Sequence, residues 1–394
     1  MEGDIHPTFT EKSDHKNLKV VLFSENNLSH FGGGERLMKL IYDFLKNVNI
    51  EVRIIENTNE QGSNSGSVLN QELNITKARF ERFGFIKFLY QDFPPIKVIP
   101  AAEDVVSLIF LRRVPPRSIL RQLEKSNSKV VFCLHGVALE EIRITNPLII
   151  AHQLLMRMQL RNLAHYARNN IFVQSLLPTL TSYLVLHGAD QKNVFTIENQ
   201  LQSEVSFPER NDEEFNVTFI GRMEDLQKGI KRLKKIIRIV QKFDKRIKFN
   251  IIGTGKDSAI LDGLGGDVRI HNGIDDQHKN EIIASSNLAL ITSNLEPYSL
   301  VALEFLTSGV PVVVTPTSGP KHILSKEKSF GKVVSFSAKP LAKSIVDYYQ
   351  EWERDKGLYF SKRKDLFYNA RRMFNLNDML ESYKNLIFQV GTVR

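Results

Sequence analysis

The sequence predicts an α/β fold of two domains, each built on a parallel sheet. Short apolar runs alternate with helical segments along the chain, as in parallel strands joined by crossover helices. The 394 residues, 42% hydrophobic and 25% charged, are enough for two separate cores. The segment from Glu198 to Phe215 is polar and lacks apolar periodicity, so it is the predicted linker.

The first half begins with a strand, a glycine turn and a helix. Gly32-Gly33-Gly34 is predicted to form a tight turn at which a phosphate or a sugar approaches the backbone. This is not the dinucleotide fingerprint G-x-G-x-x-G, because Leu37 stands in place of its third glycine. The polar stretch from Asn57 to Asn74 is predicted to be a loop or disordered. Strands are predicted at Leu18 to Ser24, Glu51 to Glu56, Asp104 to Phe110, Lys129 to Leu134, Asn170 to Gln174 and Val194 to Ile197, with helices at Glu35 to Asn47 and Pro147 to Arg168.

The second half repeats the alternation. The basic run from Lys228 to Arg238 is predicted to be the solvated side of an amphipathic helix, because isoleucines and a leucine recur on its other side. Strands are predicted at Val217 to Ile220, Phe249 to Ile252, Val268 to His271, Leu288 to Ile291, Pro311 to Val314 and Lys332 to Phe336, with helices at Ser299 to Ser308, Pro340 to Trp352 and Asp378 to Phe388.

Two carboxylates, Glu296 and Glu304, lie eight positions apart in a predicted βαβ unit. Glu296 falls on the loop that follows a strand, and Glu304 falls inside the next helix. Gly309 is predicted to end that helix. Ligands of open parallel sheets bind at the carboxyl ends of the strands. Backbone N–H groups near Ser299 and Leu300 are expected to face the same crevice and to suit an anionic phosphate.

Several other candidates also follow predicted strands. Gly221 and Arg222 open a loop that ends with Lys228, and a guanidinium with an ammonium suits a diphosphate. Gly253 ends the next strand, where a base or a ribose can approach the backbone. His135 ends a strand of the first half, a position that favours ligand contact. For each of these residues a purely structural role stays open.

Taken together, these motifs resemble the retaining glycosyltransferases of group 1, family 4. The ordered set is Gly-Gly-x-Glu-Arg, His-Gly, Gly-Arg-x5-Lys-Gly, Ile-Gly-x-Gly, and Glu-x7-Glu followed by Gly-x-Pro-Val, and it spans about residues 18 to 390. The resemblance implies the GT-B fold, in which two Rossmann-like domains face each other across a cleft. Residues 1–17 are a polar tail outside the match. The resemblance implies an acceptor-side domain over 18–200, a donor-binding domain over 201–375 and a helix over 376–394 that returns to the first domain.

The resemblance also implies an activity and its parts. Such enzymes move a sugar from a nucleotide diphosphate, here a UDP- or GDP-sugar, to a glycan or lipid-linked acceptor with retention. By resemblance, Arg222 and Lys228 hold the donor diphosphate, Glu296 binds hydroxyls of the donor sugar and Glu304 binds the ribose. His135 would face the transferred sugar.

The glycines complete the implied site. Gly33 and Gly34 would line its phosphate and acceptor side.

No Asp-x-Asp pair follows a predicted strand, and fixed cations can stabilise the leaving diphosphate, so we expect neither a metal nor another cofactor. Two departures from the family stand out. Ser299 replaces a usual glycine, and Asn199-Gln200 replaces a common Asn-Gly.

Composition bounds the partners and the compartment. The net charge of +9 is spread along the chain without a nucleic-acid motif, so we expect no nucleic-acid partner. The first residues are too polar for a signal peptide, and the single Cys133 lies in an apolar run, which together favour the cytoplasm. The cations and aromatics of Arg79 to Tyr90, with the helix from Pro147 to Arg168, suggest peripheral contact with an anionic membrane. The alternative is that both segments bury their apolar faces.

Two alternative functions remain open at this point. The same fold can serve as a non-catalytic sugar-binding partner protein. The two glutamates can instead act as the acid and nucleophile of a glycosidase, which requires both carboxyls to reach one sugar, about 5 to 9 Å apart.

Overall fold

The computed structural model of the protein describes residues 18–25, 33–57, 75–83, 91–140, 147–201, 206–207, 213–265 and 267–393. The first half folds around a parallel sheet in the order β3-β2-β1-β6-β7-β8-β9, and a short antiparallel pair, β4-β5, lies beside it. The strands are β1 Lys19–Ser24, β2 Glu51–Asn57, β3 Ile75–Ala78, β4 Glu81–Phe83, β5 Gln91–Phe93, β6 Val105–Leu111, β7 Lys129–Leu134, β8 Ile171–Ser175 and β9 Val194–Thr196; the helices are α1 Gly33–Asn47, α2 Arg117–Glu124, α3 Pro147–Tyr166 and α4 Pro178–Leu186.

The second half folds around another parallel sheet, in the order β12-β11-β10-β13-β14-β15. Its strands are β10 Phe215–Ile220, β11 Ile247–Ile252, β12 Val268–His271, β13 Leu288–Ile291, β14 Val312–Val314 and β15 Gly331–Val333. Its helices are α5 Asp225–Lys228, α6 Ile230–Phe243, α7 Asp276–Ser285, α8 Leu300–Leu306, α9 Ser318–Ser325, α10 Ala338–Arg354 and α11 Lys356–Met373, and α12 Leu376–Thr392 follows them.

Helices cover both faces of each sheet, and the central strands are accordingly largely apolar. Every residue of β6 and of β7 is buried, as expected where water reaches neither face. In each sheet the strand order reverses beside the first strand: β1 pairs with both β2 and β6, and β10 pairs with both β11 and β13. Ligand crevices of open parallel sheets form at such switch points.

The last helix returns to the first domain. Met379, Tyr383, Ile387 and Val390 of α12 are buried in the same apolar cluster as strands β1 and β6. Lys129 also donates from Nζ to the carbonyl of Gly391 at 2.7 Å. The two sheets and the returning helix confirm the predicted fold class.

Most predicted elements are present with small shifts at their ends. The glycine turn is a correction: Gly33 begins α1 and Gly34 lies in its first turn, while Gly32 lies outside the described residues. Phe215 begins β10, so the linker ends before it. Asn57 belongs to β2, and residues 58–74 of the predicted loop lie outside the described part of the chain, as does the tail, residues 1–17. Helix α11 was not predicted, because its apolar residues follow no single stripe.

No helix in the described part of the chain is long and apolar enough to span a bilayer.

A carboxylate from the end of the first domain joins the two domains. Glu198 accepts hydrogen bonds from Tyr298 Oη at 2.8 Å and Lys326 Nζ at 2.8 Å, and its Oε1 lies 2.9 Å from His322 Nε2. Burial opposes ionisation of Glu198, but the hydrogen bonds from His322, Lys326 and Tyr298 outweigh it and hold the pKa at about 2. Glu198 is therefore ionised in the folded protein at any ordinary pH.

We expect Glu198→Gln to destabilise the protein in a pH-dependent way. A lowered pKa stabilises the fold above the unfolded-state value near 4.5, and this stabilisation is lost as the pH falls toward 2. Thermal unfolding should show a deficit of about 2 to 3 kcal/mol at pH 7 that shrinks markedly by pH 3. The control is Glu281→Gln on the exposed face of α7, which should show no such change. A deficit of constant size from pH 7 to pH 3 would contradict the assignment.

Candidate active site

The loop between β13 and α8 carries the first of the two glutamates. Glu296 is 8% exposed, and its Oε2 accepts hydrogen bonds from Lys228 Nζ at 2.6 Å and Ser293 Oγ at 2.8 Å. Both side chains of the ion pair are largely buried, at 14% exposed for Lys228 and 11% for Glu296. Two residues predicted on separate loops are therefore in direct contact.

These loops meet because β10 and β13 are neighbours in the sheet. Lys228 ends the short helix α5 after β10, and Glu296 follows β13. Gly229 has a φ of +68°, and a side chain there would lie 2.4 Å from the carbonyl oxygen of Thr292. Only glycine fits such a left-handed position at this distance. The chain therefore turns sharply after Lys228 and brings its ammonium to the Glu296 loop.

Arg232, which the sequence analysis did not single out, ties the two loops together. Its guanidinium donates to Thr292 O at 2.6 Å, to Asn294 Oδ1 at 2.8 Å and to Phe336 O at 2.7 Å. A planar fork with several donors suits this arrangement. The signal in the sequence is weak, because Arg232 lies in a run of basic residues on a helix.

Arg222 offers a second cation at the same sheet edge. It lies on the loop after β10 and is exposed, and its guanidinium makes no ion pair or hydrogen bond with the residues that the structure describes. Gly253 shapes this loop: its φ is +141°, and a side chain there would lie 2.0 Å from Gly221 O. At Gly221 itself the nearest atoms would be 3.4 Å away. The structure thus gives Gly253 a packing role that positions the Arg222 loop.

Glu304 lies apart from Glu296, inside α8. Its Oε1 is 3.3 Å from Lys279 Nζ and 3.6 Å from an Nη atom of Arg36. Arg36 belongs to the first turns of α1, so this ion pair joins the domains. Among the residues that the structure describes, none lies within 4 Å of the position that a Cβ atom would take on Gly34. The two glutamates therefore have different partners.

Comparisons with known proteins show which family and which folds this chain resembles. Residues 202–373 match the family described as Glycosyl transferases group 1. An uncharacterized glycosyltransferase of Methanocaldococcus jannaschii is 26% identical over 164 residues, which are 40% of this chain and 41% of the relative. The alignments span less than half of the curated relatives, 45% and 41% of their lengths.

Two solved structures superpose over nearly the whole chain. The crystal structure of TarM covers 95% of this chain and 100% of its own, with a TM-score of 0.71 and 13% identity. A glycosyltransferase from Rickettsia africae covers 96% and 100%, with a TM-score of 0.68 and 15% identity. The fold is GT-B. Its second domain resembles group 1 glycosyltransferases in sequence as well.

In this GT-B fold His135 lies on the first-domain side, at the end of β7. Its Nε2 is 3.0 Å from Tyr383 Oη of the returning helix, and its ring packs edge-on against Phe110. Burial lowers the pKa of His135 to about 4, and Gln174 opposes this shift only in part. The imidazole is therefore neutral at neutral pH. A contact with the transferred sugar stays a prediction, because its described partner is Tyr383.

Ser299, where the family usually has glycine, has a physical explanation in the backbone. Its φ is +86° and its ψ is +79°, the left-handed region that glycine occupies without strain. Ser299 caps α8, because its Oγ accepts a hydrogen bond from Ala302 N–H at 3.3 Å. Leu300, half-buried, begins that helix. The cap offsets part of the strain.

Three further predictions concern the end of α8 at Gly309, the position of Gln200 and the expectation of no metal. Gly309, with a φ of +76°, ends α8, and Val310 N–H donates to Phe305 O across it, so the predicted helix end is confirmed. Gln200 N–H lies 3.3 Å from Met379 Sδ of the returning helix. Within the described ranges, no three histidine, cysteine or acidic side chains are grouped to hold a metal ion.

We predict opposite outcomes for two substitutions of Ser299. Ser299→Ala loses the cap and keeps the strained backbone, so it should destabilise the protein by about 1 kcal/mol. Ser299→Gly loses the cap but relieves a strain of about 1 to 2 kcal/mol, so it should be neutral or stabilising. Chemical denaturation of both variants measures the difference. Equal stabilities would show that the left-handed backbone costs nothing at this position.

Proposed function

We propose that the protein is a retaining glycosyltransferase that moves a sugar from a nucleotide diphosphate sugar, UDP- or GDP-linked, to a glycan or lipid-linked acceptor. The observation that carries the proposal is the Lys228–Glu296 ion pair beside the exposed Arg222 on adjoining loops. The fold and the match over residues 202–373 support it. TarM, one of the similar folds, has been crystallised as a variant with UDP and an α-GlcNAc-glycerol.

The charges suit the breaking of a glycosyl–phosphate bond. Negative charge grows on the departing diphosphate, and positive charge grows on the sugar ring. Arg222 and Lys228 stabilise the first, and the Glu296 carboxylate faces the hydroxyls of the second. The bond from C1 to the phosphate oxygen breaks, and the bond from C1 to the acceptor oxygen forms on the same face. The acceptor proton passes to the departing phosphate.

Donor binding changes the partners of the buried ion pair. Lys228 turns from Glu296 to the diphosphate, and Glu296 then accepts hydrogen bonds from sugar hydroxyls. Each charge keeps a partner throughout, which avoids the cost of an unpaired buried charge. Glu304 is proposed to bind the ribose, beside Lys279 and Arg36. We propose no metal, because the two cations supply the positive field.

A screen of nucleotide sugars tests the proposal first. A true donor at about 100 times its Kd should raise the free energy of unfolding by about 2.7 kcal/mol through mass action. UDP-, GDP- and ADP-sugars should be compared by thermal shift, followed by assays of transfer and of donor hydrolysis with and without EDTA. Binding without transfer or hydrolysis would favour a non-catalytic sugar-binding protein. Activity that EDTA abolishes would overturn the metal-independent mechanism.

We expect Arg222→Gln and Glu296→Gln to lose about 100-fold to 1,000-fold in kcat while the protein remains folded. The change at Arg222 removes a cation that stabilises the negative charge growing on the diphosphate, and the amide at Glu296 keeps the shape of the loop. The control is Lys231→Gln on α6, a lysine near Lys228 whose side chain is 76% exposed. Near-normal kcat in either variant would count against the assigned roles. Arg222→Gln is the cleaner test, because Glu296→Gln and Lys228→Ala each leave the other charge of the buried pair without its partner.

We also propose that the first domain rests on anionic lipid through one face of α3. Leu154 and Met158 are each 54% exposed, and Arg161 is exposed one turn further along. Apolar and cationic side chains on one helical face suit a lipid surface. Of the other predicted segment, Phe80 is buried in the core and residues 84–90 lie outside the described residues.

Vesicle cosedimentation tests this surface. Leu154→Glu with Met158→Glu should lower binding to anionic vesicles about tenfold, because two apolar contacts become repulsive. The matched control is Leu358→Glu, a leucine on α11 that is 52% exposed. Salt should weaken binding of the unaltered protein. If the unaltered protein does not sediment with anionic vesicles, the proposal is wrong.

A further inference from the structure

Glu140 is a buried carboxylate of the first domain that reaches the active-site loop of the second. It lies in the loop that follows β7, and it is 1% exposed. Its Oε1 accepts a hydrogen bond from the backbone N–H of Glu296 at 3.2 Å, and its Oε2 accepts from the N–H and the Oγ of Ser318 at 2.9 and 3.0 Å. All three donors belong to the second domain.

The first domain holds Glu140 in place from its own side. Its N–H donates to Gln153 Oε1 at 3.2 Å, and its carbonyl accepts from Arg157 at 3.0 Å. Both partners lie on α3. Ser318 Oγ also lies 3.0 Å from Leu139 O, so the same hydroxyl meets two neighbouring residues of this segment. The carboxylate is therefore presented to the second domain by a fixed backbone.

In the second domain, Glu140 contacts the junction between α9 and the Glu296 loop. Gly319 N–H donates to Glu296 O at 3.1 Å, which joins the start of α9 to the Glu296 loop. A side chain at Gly319 would lie 2.3 Å from the backbone of Tyr298, so glycine is needed for this close approach. Glu140 binds on both sides of that junction. The backbone of Glu296 is thus held by α9 at its carbonyl and by Glu140 at its N–H.

We infer that Glu140 is a positioning residue that fixes the backbone of Glu296 when the two domains are closed on each other. The inference rests on the proposed function. In the described contacts, the Glu140 carboxylate touches the Glu296 loop but not Arg222, Lys228 or Glu304. When the domains separate, its carboxylate leaves its three donors and the Glu296 N–H loses its partner. Placement of Glu296 against the sugar therefore depends on closure of the cleft, whereas binding of the nucleotide by the second domain does not.

Glu140→Gln tests this role with little change of shape. The three groups of the second domain that contact the carboxylate are all donors, so an amide places its NH₂ group against one of them. We expect kcat to fall about tenfold or more while the donor Kd changes by less than about threefold, a split that places the loss in the transfer step. Ser318→Ala should produce part of the same loss, and the double variant should be non-additive.

The control is Glu198→Gln, which removes another first-domain carboxylate from α9 and from the Tyr298 hydroxyl, but not from the backbone of Glu296. Its kcat should stay within about threefold of the unaltered protein despite its lower stability. An equal loss of kcat in Glu198→Gln would show that loosened domains alone explain the effect, and it would overturn the inference.

Amide hydrogen exchange provides a readout that does not need activity. Peptides covering residues 293–299 should exchange faster in ligand-free Glu140→Gln than in the unaltered protein, whereas β13 should not change. Unchanged exchange, or faster exchange with unchanged kcat, would overturn the inference. If the unaltered protein transfers no sugar at all, the proposed function is wrong, and the exchange result alone decides whether Glu140 fixes the loop.

Discussion

The buried ion pair between Lys228 and Glu296 is the contact on which the arrangement of the site depends. Two charges this deeply placed are tolerated only when each has a close partner, and breaking such a pair is far more costly than its net contribution to stability. Glu296 has Ser293 as a second donor, and Arg232 locks the loops on which both charges stand. The charges of Lys228 and Glu296 therefore neutralise each other on loops that are fixed in place. Arg222 remains exposed on the loop after β10.

The two domains meet through carboxylates of one and donors of the other. Glu140 and Glu198 both come from the first domain, and both reach α9, at Ser318 and at His322 with Lys326. The charge of Glu140 is favourable at Ser318 because backbone N–H groups at the N-terminus of a helix lack partners within it. Glu198 lies at the other end of α9, where His322 and Lys326 are its partners. One short helix thus connects Glu198, at the end of the first domain, to the loop that carries Glu296.

The pattern of apolar residues and glycines along the chain predicted the strands and helices around the site, because these elements depend on local sequence. The strand before Glu296, the helix containing Glu304 and the end of that helix at Gly309 follow from apolar runs and a glycine followed by proline. Contacts across the cleft had no such signal. Glu140 and Arg36 meet their partners only after two domains have folded, and Arg232 is hidden among similar residues on an amphipathic helix. The predicted glycine turn is wrong at Gly33 and Gly34, because helix α1 begins at Gly33, two residues before its predicted start.

The eight-residue spacing of the two glutamates gains a physical meaning from these contacts. The structure gives each carboxylate its own cation, Lys228 for Glu296 and Lys279 for Glu304. Each position is also contacted from the opposite domain, by Glu140 and by Arg36. An extended ligand with charge between its two ends fits such a pair better than a single sugar ring does. The paired-acid hypothesis of a glycosidase loses its basis for the same reason.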